Sequence, residues 1–112
     1  LNTDVLGRLV EVVSKQSLAD FFRTRIFEPL GMKDTWFYLP SDKQKRLVAL
    51  HGEDSLKKVT TMKEELDVNG TSLLVNYPNV QGKLYSGGGG LVSTAYDYAL
   101  FMQMMLNKGS LN

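Results

Sequence analysis

The chain contains no cysteine, which excludes disulfides and zinc sites built on thiolates. It has a single histidine, His51, so no metal site can be assembled from paired imidazoles. No apolar run approaches the ~18 residues that a membrane span needs. Charge of one sign is also missing. The formal net charge is +1, and no basic block exceeds Lys57-Lys58, which leaves no footprint for nucleic acid. Of the residues, 43% are hydrophobic and 22% charged, a balance that folds rather than stays disordered. A chain of 112 residues buries roughly two-thirds of its unfolded surface, enough for one domain or part of one. It opens on a helix start without an initiating Met and closes on turn-like residues. Both ends read as cuts through a longer protein, so a missing signal peptide says nothing about compartment.

What is present in excess is glycine, with ten residues, four of them consecutive at Gly87–Gly90. Ordering each one costs roughly 0.5–1 kcal/mol relative to Ala. A packed domain keeps such a run where the backbone bends unusually or where something approaches it closely. The competing reading is a flexible connector.

The rest of the chain reads as helices around a weaker β region. Asn2 or Thr3 can cap a first helix, with Asp4 in its first turn. Val5, Leu6, Leu9, Val12 and Val13 fall at helical spacing, and Asp4, Arg8, Glu11 and Lys15 fill the other face. This helix ends near 14–16. Ser17 caps a second helix, with Asp20 as a short stand-in for the Glu of a capping box. Leu18, Phe21, Phe22 and Ile26 form its buried stripe, Arg23 and Arg25 are exposed, and Pro29 and Gly31 end it. Met32 to Tyr38 reads as extended, with Trp36 as core anchor. Ser41-Asp42 caps a short polar turn through Lys45. Arg46–His51 and Leu56–Thr61 read as paired strands around a Gly52–Asp54 turn. Asn69-Gly70 suggests a hairpin between Leu66–Val68 and Thr71–Val75, although Met62 to Leu84 as a whole reads mostly as loop. The last helix is capped by Ser93 or Thr94 and closed by Lys108 and Gly109. Ala95, Tyr98, Ala99, Met102, Met105 and Leu106 form one apolar face. Leu100, Phe101 and Met104 make the remainder apolar too, which predicts burial on several sides.

Tests for site chemistry are mostly negative. His51 lies in a predicted strand with no local partner. The glycine run is neither a P-loop, since no Gly-Lys-Ser/Thr follows, nor a GxGxxG, since Val92 takes the last glycine position. Glu64-Glu65 reads as a solvated pair rather than an acid/base dyad. Ser55-Leu-Lys-Lys58 matches S-x-x-K, the nucleophile motif of penicillin-binding proteins and class A β-lactamases. That chemistry needs the Ser at a buried helix start with the Lys one turn on, and in a strand-like run the two residues point to opposite faces. Asn69-Gly-Thr71 matches a glycosylation sequon by chance. The Met-rich last helix reads as core before docking surface.

Three segments together resemble the serine β-lactamase-related superfamily of class C β-lactamases, D-Ala-D-Ala carboxypeptidases and β-lactamase-like esterases. Asn2–Ser14 resembles the helix after the superfamily's Tyr-x-Asn motif. In that register Leu1 or Asn2 takes the motif's third position. Phe27-Glu-Pro-Leu-Gly-Met-Lys-Asp-Thr-Trp-Phe37 is close to a P-L-G-M-x-x-T segment. Tyr85–Leu106 resembles the G-G-G-L-x-S-T-A-x-D-x-A loop and helix.

The resemblance implies an α+β fold. Residues 1–112 would form a single segment of a larger domain, mainly its helical lobe, with three main helices and a small antiparallel hairpin. It implies acyl transfer in the parent protein on a lactam, D-amino-acid peptide or ester, with the catalytic Ser, Lys and Tyr outside this chain and no catalytic residue within it. It places Gly87, Gly88, Gly89 and Gly90 at the rim of the substrate pocket, with Gly89 where class C enzymes carry an aromatic residue. It implies no cofactor, no metal and no nucleic acid. The partner is a small-molecule or peptidoglycan-like substrate, and the location is periplasmic or otherwise extracytoplasmic. Without their sheet, apolar faces such as Phe21/Phe22 and Met102/Met105 would be exposed, which predicts self-association or marginal stability. A non-catalytic interaction module and a penicillin-binding sensor segment stay open as alternatives.

Overall fold

A computed structural model describes residues 1–62, 65–68, 71–74 and 77–110. Lys63, Glu64, the Asn69-Gly70 turn with its sequon, Val75 and the last two residues lie outside the described residues. The architecture is α+β, as expected, and the chain divides into two compact units. One comprises Leu1–Tyr38 with Gly82–Asn112; the other is Leu39–Gln81.

The first unit holds the helices. Helix α1 spans Asn2–Ser14. Neither Asn2 nor Thr3 caps it, because the helix starts one residue early and Leu1 precedes it without a side-chain cap. Helix α2 is continuous from 18 to 30 but changes pitch. Leu18–Phe22 is α-helical, Arg23–Phe27 is a π-turn, and Glu28–Leu30 is α-helical again. Ser17 caps it as expected, its hydroxyl accepting from Asp20 N at 3.0 Å. The reciprocal arm differs. The Asp20 carboxylate is too short to reach back to the backbone and takes the Ser17 hydroxyl proton at 2.7 Å instead.

The π-turn corrects the expected core. A wider turn returns to the same face after five residues rather than four. Phe27 therefore takes the inward place that regular spacing gives to Ile26. Among the described residues of the first unit, the buried large apolar side chains are Leu18, Phe27 and Phe37, with Leu18 at 1% exposure. Arg23 reaches Glu28 at the same spacing of five, 2.7 Å. Pro29, which has no N–H to donate into the ladder, accounts for the interrupted pitch. Gly31 then stops the helix at φ 70°. Met32 N donates to Phe27 O at 2.8 Å and Gly31 N to Glu28 O at 3.1 Å, the bond pair of a Schellman turn.

An aromatic chain carries this core to the far end of the sequence. Phe22 meets Phe27 edge-on with centroids 6.0 Å apart and Phe37 at 5.8 Å, and Phe37 meets Tyr85 edge-on at 5.3 Å. Tyr38 adds a contact to Tyr85 at 5.6 Å, and its hydroxyl donates to Leu84 O. Phe37, not Trp36, is thus the core anchor. Trp36 is half-buried and contributes through its backbone, which bridges Val92 in both directions at 2.9 Å.

Helix α3, Ala95–Leu106, starts as expected, the Thr94 hydroxyl accepting from Asp97 N at 3.2 Å. Lys108 and Gly109 close it in left-handed conformations. The expected burial on several sides does not occur. Asp97 is buried, and Leu100, Phe101 and Met104 are half-buried. Tyr96, Tyr98, Met102, Met105 and Leu106 are exposed. On helix α1, Val5, Leu6, Leu9, Val12 and Val13 are likewise exposed. These faces have nothing in the first unit to cover them.

The second unit carries two antiparallel hairpins. Strand β1 (His51–Glu53) pairs with β2 (Val59–Thr61), His51 opposite Thr61. The pairing starts at His51 rather than Arg46, and Gln44–Arg46 coil into a 3₁₀ turn. The reversal falls at 54–58 rather than Gly52–Asp54. The Asp54 carboxylate accepts from Leu56 N at 2.8 Å and Lys58 N at 2.9 Å, which fixes the turn after it. Strand β3 (Glu65–Val68) pairs with β4 (Thr71–Leu74), Val68 opposite Thr71. This hairpin was expected, but it shows that the stretch from Met62 to Leu84 is less loop-like than its weak alternation suggested. A 3₁₀ turn at Tyr77–Asn79 follows.

Candidate functional site

The glycine run is held at both flanks within the first unit. Upstream, Tyr85 is pinned between Phe37 and Tyr38. Downstream, Val92 is bridged to Trp36. Between them, residues 87–89 form a turn closed by Gly90 N donating to Ser86 O at 3.1 Å.

The turn lies on α1, and glycine is required there for close approach. None of Gly87–Gly90 adopts a left-handed φ. A Cβ at Gly87 would collide with the Thr3 backbone carbonyl oxygen, and one at Gly88 would come within 2.8 Å of Thr3 Oγ1. One at Gly90 would sit 2.5 Å from Ser86 O. At Gly89 a Cβ would meet nothing within 4 Å. Helix α1 answers with its own glycine, since a Cβ at Gly7 would lie 3.6 Å from Gly87 Cα and 2.9 Å from Leu18 Cδ2. A glycine inside a helix costs about 1 kcal/mol against Ala, and here it leaves room for the buried Leu18 side chain beside the turn.

Polar groups fasten the contact. Ser86 Oγ donates to Asp4 Oδ1 at 2.6 Å, and Gly88 N donates to the same oxygen at 3.2 Å. Gly88 N and Gly89 N also approach Ser86 Oγ, each at 3.3 Å. The bond from Ser86, then that from Gly88, holds the Asp4 carboxyl below the ordinary carboxylate range. Further along α1, Glu11 accepts from Arg8 at 2.8 Å and from Leu18 N at 3.0 Å, and its carboxyl is lowered chiefly by Arg8. Groups whose folded pKa is depressed favour folding above their unfolded pKa and lose that contribution as pH falls through the folded value. The least exposed positions of α1 are thus Asp4, Gly7, Val10, Glu11 and Ser14, a stripe mostly small or polar. Its one legible trace was Gly7, a glycine in an otherwise well-formed helix.

These bonds limit what the run can do chemically. The N–H groups of Gly88, Gly89 and Gly90 all point to acceptors inside the knot. They do not form the outward-facing nest of donors that cradles a phosphate or an oxyanion. What the turn offers outward is the bare backbone at Gly89.

A second knot ties the segment before Trp36 to the start of α3. Asp97, at 2% exposure, accepts on Oδ2 from Asp34 N at 2.7 Å and from Thr35 Oγ1 at 2.8 Å. Thr35 Oγ1 also bonds Ser93 Oγ at 2.8 Å.

A family model described as Beta-lactamase matches residues 1–112. The chain belongs to the beta-lactamase family. It is similar to Protein Rv1367c of Mycobacterium tuberculosis, 33% identical over 97% of the chain and 25% of that protein. It is also similar to the lovastatin esterase of Penicillium rubens, 32% identical over 96% of the chain and 26% of the esterase. The fold is that of simvastatin synthase from Aspergillus terreus, in a mutant form, with TM-score 0.77 and 24% identity over 96% of this chain and 24% of that one. An octameric penicillin-binding protein homologue from Pyrococcus abyssi aligns with TM-score 0.66 and 20% identity over 95% of this chain and 20% of that one. The beta-lactamase-family chain described here therefore spans about a quarter of the length of the curated relatives it matches.

Two of the three segments that carry the resemblance meet each other. Thr35 of the P-L-G-M-x-x-T segment and Ser93, Thr94 and Asp97 of the S-T-A-x-D segment form the second knot. The residues tested as nucleophile and base are elsewhere. Ser55 and Lys58 are exposed in the reversal between β1 and β2. His51 is exposed on β1, its ring nitrogens near Ala49 O at 3.0 Å and Thr61 Oγ1 at 3.3 Å. Among the described residues no group of three or more His, Cys, Asp or Glu side chains could hold a metal, and no helix is long and apolar enough to cross a membrane.

Proposed function

We propose that this chain is one wall of the substrate pocket in a serine hydrolase of the beta-lactamase family, and that the whole protein transfers the acyl group of an ester. The observation that carries the reading is the Gly87–Gly89 turn, fastened to α1 and backed by the Asp97 knot, with open space only at Gly89. A rigid, side-chain-free backbone suits the edge of a cleft that admits a bulky acyl or alcohol group. The esterase relative supports an ester over a lactam or D-amino-acid peptide.

In the reaction, a serine supplied by another part of the protein attacks the ester carbonyl. The alcohol leaves with a proton, and water or a second alcohol takes the acyl group from the serine. This chain contributes shape to that process and no reacting atom. The full-length protein should therefore hydrolyse p-nitrophenyl esters, while the isolated 112 residues turn over neither those esters nor nitrocefin. Labelling of Ser55 in the isolated chain by a fluorophosphonate would overturn this reading.

The exposed faces of α1 and α3 follow from the same proposal, as the surfaces on which the remainder of the domain packs. Contiguous apolar patches of this kind are rare on monomers. The isolated chain should self-associate, giving a mass by light scattering that rises with concentration. A monomer with a sharp, concentration-independent melting transition would count against it.

A further inference from the structure

We propose that Asp4 and Ser86 form a positioning latch that fixes where the Gly87–Gly89 turn stands on α1, and thereby how tightly the pocket holds the acyl part of the substrate. The proposal rests on the reading that this turn borders the substrate pocket. It adds two residues that neither the glycine pattern nor the motif resemblance singles out for a site.

The turn does not need the latch to exist. The bond from Gly90 N to Ser86 O closes it locally. What local bonds cannot do is choose its place on the helix. That choice is made across 82 residues of sequence by the 2.6 Å bond from Ser86 Oγ to Asp4 Oδ1. The distance is typical of a hydroxyl donating to an ionised carboxylate, the stronger class of hydrogen bond. A serine hydroxyl has one proton and two lone pairs. Here the proton goes to Asp4, and Gly88 N and Gly89 N approach the oxygen. Gly88 N also reaches Asp4 directly at 3.2 Å. The amide of Gly89, the one residue of the run with open space beside it, is therefore oriented by a side chain that Asp4 itself orients. The surroundings allow little slack, because the Thr3 carbonyl leaves no room for a Cβ on Gly87.

A latch that acts on substrate binding differs from one that only stabilises α1. It touches no reacting atom, so its loss removes binding shared by ground and transition states and appears in KM rather than kcat. The test uses the full-length protein with Asp4→Ala, Ser86→Ala, the pair together, and Asp4→Asn. For a p-nitrophenyl ester of a long acyl chain, either alanine variant should raise KM about three- to tenfold, the scale of one or two lost hydrogen bonds. Their kcat should stay within about twofold of wild type. The double variant should be no worse than the poorer single one, as for residues acting as one unit. Asp4→Asn keeps an acceptor oxygen without the charge, so it should fall between wild type and Asp4→Ala, and it serves if the alanine variant fails to fold.

Hydrogen exchange of the segment 84–91 provides a readout independent of activity, and it should quicken in both alanine variants. Unchanged exchange in the folded variants would overturn the latch while leaving the proposed function standing. Quicker exchange with unchanged KM would show that the turn lies away from the substrate, which defeats the pocket-rim reading and the proposal with it. A fall in kcat that tracks lost thermal stability, with KM unmoved, would assign the pair a merely structural role and also overturn it.

Discussion

Gly87→Ala is expected to cost about 3 kcal/mol of folding stability, at the upper end of what an added methyl costs in a packed site. The added Cβ would collide with the Thr3 carbonyl oxygen and press on the Thr3 carbonyl carbon at 3.2 Å. Both atoms are backbone of the first turn of α1, and they cannot rotate away. Relief requires the glycine turn to lift from the helix, which would also pull Ser86 from Asp4. The other positions of the run make the test specific. Gly90→Ala faces a backbone oxygen at 2.5 Å and should cost a similar amount. Gly88→Ala faces the Thr3 hydroxyl at 2.8 Å, which can change rotamer, so its cost should be smaller. Gly89→Ala meets nothing within 4 Å and needs no left-handed φ. It should be neutral or stabilising by about 0.4–1 kcal/mol, through a less flexible unfolded chain. Urea denaturation of the four variants checks the order. Equal effects at Gly87 and Gly89 would mean that the run is a loose connector after all.

That ranking separates what sequence could disclose from what it could not. The run itself was conspicuous, since four adjacent glycines need a reason. The reason is close approach to a helix more than 80 residues away in sequence, and no local pattern encodes a distant partner. Signals that act within one turn were readable. Ser17 and Thr94 cap their helices, and Gly31 stops α2, because each job is done by neighbours three to five residues apart. Where the local rule was disturbed, the reading slipped. Regular helical spacing put Ile26 in the core, and the π-turn before Pro29 put Phe27 there. Apolar periodicity also does not by itself say which face of a helix is covered. The stripe of Val5, Leu9 and Val12 is the exposed face of α1, and the polar stripe of Asp4 and Glu11 is the one that makes contacts. A polar face on an amphipathic helix is usually solvated. Here its carboxylates end the backbone donors of two other segments, Gly88 N and Leu18 N.

Removing the carboxylate of Asp97 should have the other large effect. It is the most deeply placed charged group among the described residues, and the Asp34 N–H and Thr35 hydroxyl that donate to it belong to the segment that carries Phe37 into the core. In Asp97→Ala the Thr35 hydroxyl can still turn to Ser93 Oγ, 2.8 Å away. The Asp34 N–H loses its 2.7 Å acceptor. An unsatisfied donor in a partly buried site costs about 1–3 kcal/mol, and the space vacated by the carboxylate adds to it. A total of about 2–4 kcal/mol is expected from these terms together. Asp97→Asn keeps an oxygen for both donors and gives up only the charge, so its loss should be nearer 1 kcal/mol. The consequence reaches the glycine turn through the backbone. Asp34 and Thr35 lead directly into Trp36, whose bridge to Val92 fixes the downstream flank of the run. Trp36 is the sole tryptophan of the chain and is half-buried, so its emission reports on this bridge. Asp97→Ala should shift that emission to the red under native conditions and lower the denaturation midpoint. Asp97→Asn should lower the midpoint slightly and leave the emission in place. An alanine variant with wild-type emission and stability would show that the knot is incidental, and that the glycine turn is held by its contact with α1 alone.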